Sequence, residues 1–147
     1  MDGIDTNILR QLERDGRVTN LELAERVGLS PSACLRRVQA LEAAGVIRGY
    51  RAILDRTQLG AGLTVFVMVG LSGQLQRDSL AFERAMAKVP EVLECHNITG
   101  SVEYLLRVEV SDLSAYKHFH SDVLGTLSQV SSITSHVCLG SSKDLRA

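Results

Sequence analysis

Only three residues, Gly28-Leu29-Ser30, separate two segments with helical periodicity, and so short a joint leaves few ways to pack what lies on either side. Upstream, Thr19 and Glu22 stand at capping-box spacing around Leu21, Leu23, Ala24 and Val27, so a short helix should run to Val27 and stop at Gly28. Downstream, Ser30 is a good N-cap, Pro31 suits the first helical position, and Gly45 supplies a left-handed stop. Small Ala24 lets these helices approach, and Leu29 fills the corner between them. An earlier helix is expected from Ile4, Ile8, Leu9 and Leu12, opened by Asp2 and closed near Asp15-Gly16. The combination is a helix-turn-helix.

At about 100° per residue, Cys34, Val38 and Leu41 share one stripe of the third helix, with Ser32, Arg36, Gln39 and Ala43 roughly opposite. The first stripe belongs to a core and the second to a surface. Short, hydroxyl and cationic side chains near the N-terminus of such a helix permit close approach to base edges in a major groove. Arg36 is the first candidate for reading a base. Arg37 on the flank, followed by Arg48, Arg51 and Arg56, has the character of a phosphate contact. The candidate DNA-contacting set is Ser30, Ser32, Ala33, Arg36, Arg37, Gln39, Arg48 and Arg51. A formal net charge of −1 over 147 residues does not argue against it, because the cations need only be clustered. The plainer alternative is a solvated three-helix domain that binds a protein.

Beyond Gly45, the run Val46 to Leu54 reads as a short strand and Leu59-Gly60-Ala61-Gly62 as a break, placing a boundary near Gly60. Further strands are expected over Leu63 to Leu71, Val92 to Thr99, Glu103 to Val110 and Ile133 to Leu139. Between them lie two helical patterns, one using Leu80, Phe82, Ala85, Met86 and Val89, the other running from Leu113 to Leu127 after Asp112. The order βαββαβ implies a ferredoxin-like antiparallel sheet with both helices on one face. Val65, Val67 and Val69 lie on one side of the first of these strands and Phe66 and Met68 on the other, so both faces ask for cover. A second subunit is the economical one. The expected class is therefore α+β: a helix-turn-helix head over 1–45, a linker strand and hinge over 46–61, and a ferredoxin-like domain over 62–147.

Other classes find little support. Cys34, Cys95 and Cys138 are odd in number and widely spaced, which fits a reducing cytoplasm better than a disulfide framework or a zinc site. The longest apolar run is too short for a membrane span. His118 and His120 point far apart on a helix, and Cys95 and His96 face opposite sides of a strand, so neither pair makes a shared metal site or a dyad. No P-loop, dinucleotide fingerprint or nucleophile elbow occurs. Neither an enzyme nor a bound metal or cofactor is expected.

Together, Asp15-Gly16-Arg17, Glu22-Leu23-Ala24, Val27-Gly28-Leu29-Ser30, Arg37-Val38, Leu41-Glu42 and Gly45-Val46-Ile47 resemble the Lrp/AsnC, or feast/famine, regulators. The likeness continues through Gly49-Tyr50, Asp55, Leu59-Gly60, Glu94-Cys95-His96, Gly100, Glu103-Tyr104-Leu105-Leu106 and Asp112 with Tyr116. It implies a plain or winged helix-turn-helix head and a C-terminal domain that dimerises and assembles further into tetramers or octamers; pairing two such heads in a dimer suits an operator of two-fold symmetry. Amino acids bound between dimers would be the effector. In that family the loop before the third strand usually reads Gly-Asp-aromatic-Asp-Tyr, whereas here it reads Gly100-Ser101-Val102-Glu103-Tyr104. Backbone N–H groups of such a loop can hold a carboxylate, but with Ser101 neutral an ammonium would fall to Glu103 or a backbone carbonyl. The resemblance makes Thr99, Gly100, Ser101, Val102, Glu103 and Tyr104 the effector candidates, with Ser135 and His136 completing the pocket from a neighbouring subunit and Tyr104 chiefly packing. An effector-blind architectural DNA-binding protein is the other reading of so altered a loop.

Overall fold

A computed structural model describes residues 1–73 and 75–145, and the chain divides into two compact units, Met1–Ile53 and Leu54–Ala147. The first unit is helical: α1 spans Gly3–Arg14, α2 Asn20–Val27 and α3 Pro31–Ala43. Each start is explained locally. Asp2 and Asp5 exchange side-chain and backbone hydrogen bonds at the head of α1, Thr19 and Glu22 do the same at α2, and the Ser30 hydroxyl accepts from the Ala33 N–H at α3. Gly28 ends α2 at φ 71°, a left-handed conformation that a side chain would strain. Ile8, Leu23, Ala24, Cys34 and Leu41 form the buried centre of this unit, with Val38 and the corner residue Leu29 packed against it. The expected core stripe of the third helix is therefore in place.

The second unit holds one sheet of β1 (Leu63–Leu71), β2 (Val92–Asn97), β3 (Tyr104–Val110) and β4 (Val130–Val137), ordered β2-β3-β1-β4 and antiparallel throughout. Alternate residues Val65, Val67 and Val69 of β1 and Tyr104, Leu106 and Val108 of β3 are buried in one cluster with Phe82 and Met86 of α4 (Gln76–Ala87) and with Tyr116 of α5 (Leu113–His118). Both helices thus cover the same face, as the βαββαβ order requires. The opposite face carries Phe66, Met68 and Leu105, all half-buried, with the Arg107 guanidinium 5.7 Å from the Phe66 ring centroid. That face is apolar along β1 but charged along β3, more mixed than alternation in β1 alone implied.

Two expectations are corrected. The segment Val46 to Leu54 is not a strand: it finds no ladder partner among the described residues, and the Val46 and Ile47 N–H groups close back on the Leu41 carbonyl at the end of α3. The last helix is also not continuous to Leu127. After His118 the backbone widens into a π turn, Phe119–Val123, and closes with a 3-10 turn, Leu124–Thr126. On a regular helix Leu124 would stand roughly 80° around the axis from Tyr116, and the wider turn slows that rotation. Tyr116, Phe119 and Leu124 are consequently all buried in the sheet cluster. Among the described residues no helix is long and apolar enough to cross a membrane.

Candidate nucleic-acid interface and effector loop

The surface of α3 is built by its N-cap. With Ser30 holding the first turn and Cys34 and Leu41 buried, helical geometry turns Ser32, Arg36 and Gln39 outward, and all three are exposed. Ser30 itself is exposed but its hydroxyl is occupied by the cap and lies 3.4 Å from the Ser32 hydroxyl. Ala33 is half-buried, so of the expected base-reading set it contributes least surface. Arg48 and Arg51 are exposed in the segment that follows, which is tied back to α3 where the Tyr50 hydroxyl donates to Glu42 at 2.9 Å. Burial, and then the Glu42 carboxylate, push the Tyr50 phenol up from its usual range, so it stays a donor at neutral pH.

Two of the expected phosphate contacts are engaged elsewhere. Arg37 reaches from α3 to the capping residues of α1, its Nη1 2.8 Å from both Asp2 and Asp5 carboxylates. A cation between two carboxylates is a tie between helices before it is a phosphate contact. Arg56 pairs with the buried carboxylate of Glu109 in the second unit, Nε to Oε2 at 3.4 Å, and Arg107 Nε approaches the other oxygen at 3.3 Å. None of these carboxylates was visible from sequence neighbours, because all lie tens of residues away.

At the loop between β2 and β3, Thr99, Gly100 and Ser101 are exposed, Val102 and Glu103 half-buried, and Tyr104 buried. Gly100 takes φ 118°, leaving backbone groups of the turn uncovered by any side chain at that position. Glu103 is not idle: one carboxylate oxygen accepts the Leu71 N–H at 2.7 Å, its own N–H donates to Val69, and its carbonyl accepts from Ile98 N and Asn97 Nδ2. Tyr104 packs against Phe82 with ring centroids 4.7 Å apart and donates to Glu83 at 2.6 Å, as a packing residue should. Ser135 and His136 do not share a surface. Ser135 hydrogen-bonds the Tyr116 hydroxyl on the helix side, whereas His136 pairs in register with Phe66 on the open face. Adjacent residues of a strand point oppositely, so one pocket cannot use both from the same chain. Among the described residues no group of three or more His, Cys, Asp or Glu side chains is arranged to hold a metal ion.

Residues 1–48 match the family model described as winged helix-turn-helix DNA-binding, and residues 64–147 match the one described as the Lrp/AsnC ligand binding domain. The leucine-responsive regulatory protein of Rhizobium meliloti is 42% identical over 144 residues, covering 98% of this chain and 92% of that one. Its counterpart in Escherichia coli K12 is 42% identical over 139 residues, or 95% and 85% of the two chains. Among solved structures, a transcriptional regulator of Neisseria meningitidis in complex with L-Met superposes with a TM-score of 0.94 at 39% identity, covering 98% of this chain and 93% of that one. An AsnC family regulator from Agrobacterium tumefaciens gives 0.93 at 34%, covering 98% and 94%.

Proposed function

The chain belongs to the Lrp/AsnC family of DNA-binding transcription regulators, and on that premise we propose how its two units divide the task. The head, over about 1–45, reads a two-fold operator; the segment 46–61 links it to the domain over 62–147, which pairs two chains and senses an amino acid. The observation that carries this reading is the outward surface of α3, where a Ser30-capped helix start presents Ser32, Arg36 and Gln39 together. In this arrangement the N-terminal turns of α3 enter the major groove, Arg36 donates to a guanine edge, and Arg48 and Arg51 face phosphates.

Pairing of chains is supported by the sheet face around Phe66, Met68 and Leu105, which carries no helix and leaves these apolar residues only half-buried, and by the unladdered segment with Tyr50 and Ile53 exposed. Covering apolar surface of this kind is worth roughly 25 cal/mol per Å² before association costs. Two heads held by one dimer then meet half-sites about one helical turn apart, and tetramers or octamers of such dimers extend the contact.

The effector is an amino acid held at the 99–103 loop, with backbone N–H groups for its carboxylate and Glu103 for its ammonium. The L-Met complex of the Neisseria meningitidis relative supports the ligand class. A regulator of its own chromosome works in the cytoplasm. Binding of the protein to the DNA upstream of its own gene, followed by gel shift with and without a panel of amino acids, tests both halves together. Specific retardation altered by one amino acid is the expected result, and indifference to duplex DNA at low salt overturns it. The prior engagement of Glu103 by Leu71 favours one alternative, an effector-blind architectural protein, for which no amino acid changes the retardation or the melting temperature.

A further inference from the structure

Ser32, Leu35, Arg36 and Gln39 occupy positions i, i+3, i+4 and i+7 of α3 and therefore form one continuous stripe. Three of them are polar or charged, as a surface facing water or base edges should be. Leu35 is not: 45% of its surface is exposed, and it takes no part in the core cluster around Ile8, Cys34 and Leu41. At about 100° per residue it stands on the outward arc, on the other side of Ser32 and Gln39 from Arg36. Beyond Pro31 at the first position, every other exposed residue of the helix is small, polar or charged: Ser32, Arg36, Gln39, Ala40, Glu42 and Ala43.

We infer that Leu35 is a specificity-determining residue of the DNA interface, packing on the 5-methyl group of a thymine next to the base that Arg36 contacts. This rests on the reading of α3 as the groove-facing helix. Among the groups that base pairs present in the major groove, the thymine methyl is the apolar one, so a leucine in line with three polar readers finds one favourable partner there. A cytosine or guanine at the same step would leave the leucine against a polar edge, which adds discrimination to attraction.

The test uses the full-length protein and a duplex that it selects from a random-sequence pool. Replacing each thymine in turn by deoxyuridine removes one methyl and leaves pairing intact. Wild-type protein should lose about fourfold in affinity at one thymine per half-site, the effect of keeping one methyl-sized group out of water. Leu35→Ala should bind the parent duplex more weakly, lose no more than a few degrees in melting temperature because nearly half of the side chain's surface is exposed, and be indifferent to deoxyuridine at that position. Leu35→Asn should move the preference at that step toward adenine. Sensitivity retained in Leu35→Ala, or a changed sedimentation coefficient with sensitivity intact, would place Leu35 in a protein contact and overturn the assignment. Methyl indifference of the wild type on a selected duplex overturns it while leaving the regulator reading standing; failure to select any duplex overturns both.

Discussion

Arg37 Nη1 lies 2.8 Å from the Asp5 carboxylate, a contact that spans 32 positions of sequence and joins α3 to the first helix of the head. Asp5 is mostly shielded, with 16% of its side chain exposed against 34% for Arg37, and Asp2 shares the same guanidinium nitrogen. The hydrogen bond from Arg37, then that from the Asp2 backbone, holds the Asp5 carboxyl below its ordinary value, and the Asp5 backbone and Arg37 do the same for Asp2.

Carboxylates depressed in the folded state stabilise it above their unfolded value, and that contribution fades as pH falls through the lower folded values. Arg37→Ala should therefore melt at a lower temperature than wild type near pH 7. The gap should close as pH drops below the usual carboxylate value of 3.8 toward the lowered ones. Thermal denaturation across pH 7 to 2 measures it. An equal gap at every pH would mean that Arg37 acts through packing and not through charge.

The turn of the head depends on Gly28 at φ 71°. Gly28→Ala should cost about 1 kcal/mol, the penalty for a side chain in the left-handed region, and lower the melting temperature by several degrees. Open space around the missing Cβ means that strain is the whole cost, so Gly28→Asn should recover part of it.

In the second unit Leu106 is fully buried between the sheet and its helices. Leu106→Ala should destabilise this unit by about 2–5 kcal/mol, read from urea denaturation with unchanged m-value. A smaller loss would show that α4 and α5 collapse onto the cavity.

On DNA, Arg36→Ala should weaken operator binding by about tenfold or more while changing binding to random duplex little. Arg51→Ala should weaken both and reduce the slope of log K against log salt by about 1 for each phosphate it ceases to neutralise. Gel shifts over a salt series separate the two roles, and equal weakening on both duplexes with Arg36→Ala removes its base-reading assignment.

For the effector loop, Ser101→Asp should enlarge the rise in melting temperature produced by a saturating amino acid, because it supplies a second acceptor for the ammonium group. Glu103→Ala should reduce it. A Ser101→Asp protein no more responsive than wild type would move the ligand away from this loop.

The elements legible from sequence are those set by residues within a few positions of one another. Asp2, Thr19, Ser30 and Asp112 each cap a helix start through a backbone N–H two or three residues on, and β1 spans Leu63–Leu71 as its run of β-branched residues implies. Alternation within β1 likewise placed its valines on the covered face. The family motifs located the head and the loop, because their turns and caps are of this local kind.

Other features depend on which distant groups come within reach. Arg37 and Arg56 look alike as surface cations in the chain, yet each meets a carboxylate brought to it by another element. Glu103 looks available until β1 ends beside it and offers the Leu71 N–H. The run from Val46 to Leu54 has strand composition but no ladder, since a strand is completed by a neighbour and not by its own residues. Caps and periodicity are short-range and written in adjacent letters; ion pairs, ladders and the widened turn at Phe119 are long-range, and only packing decides them.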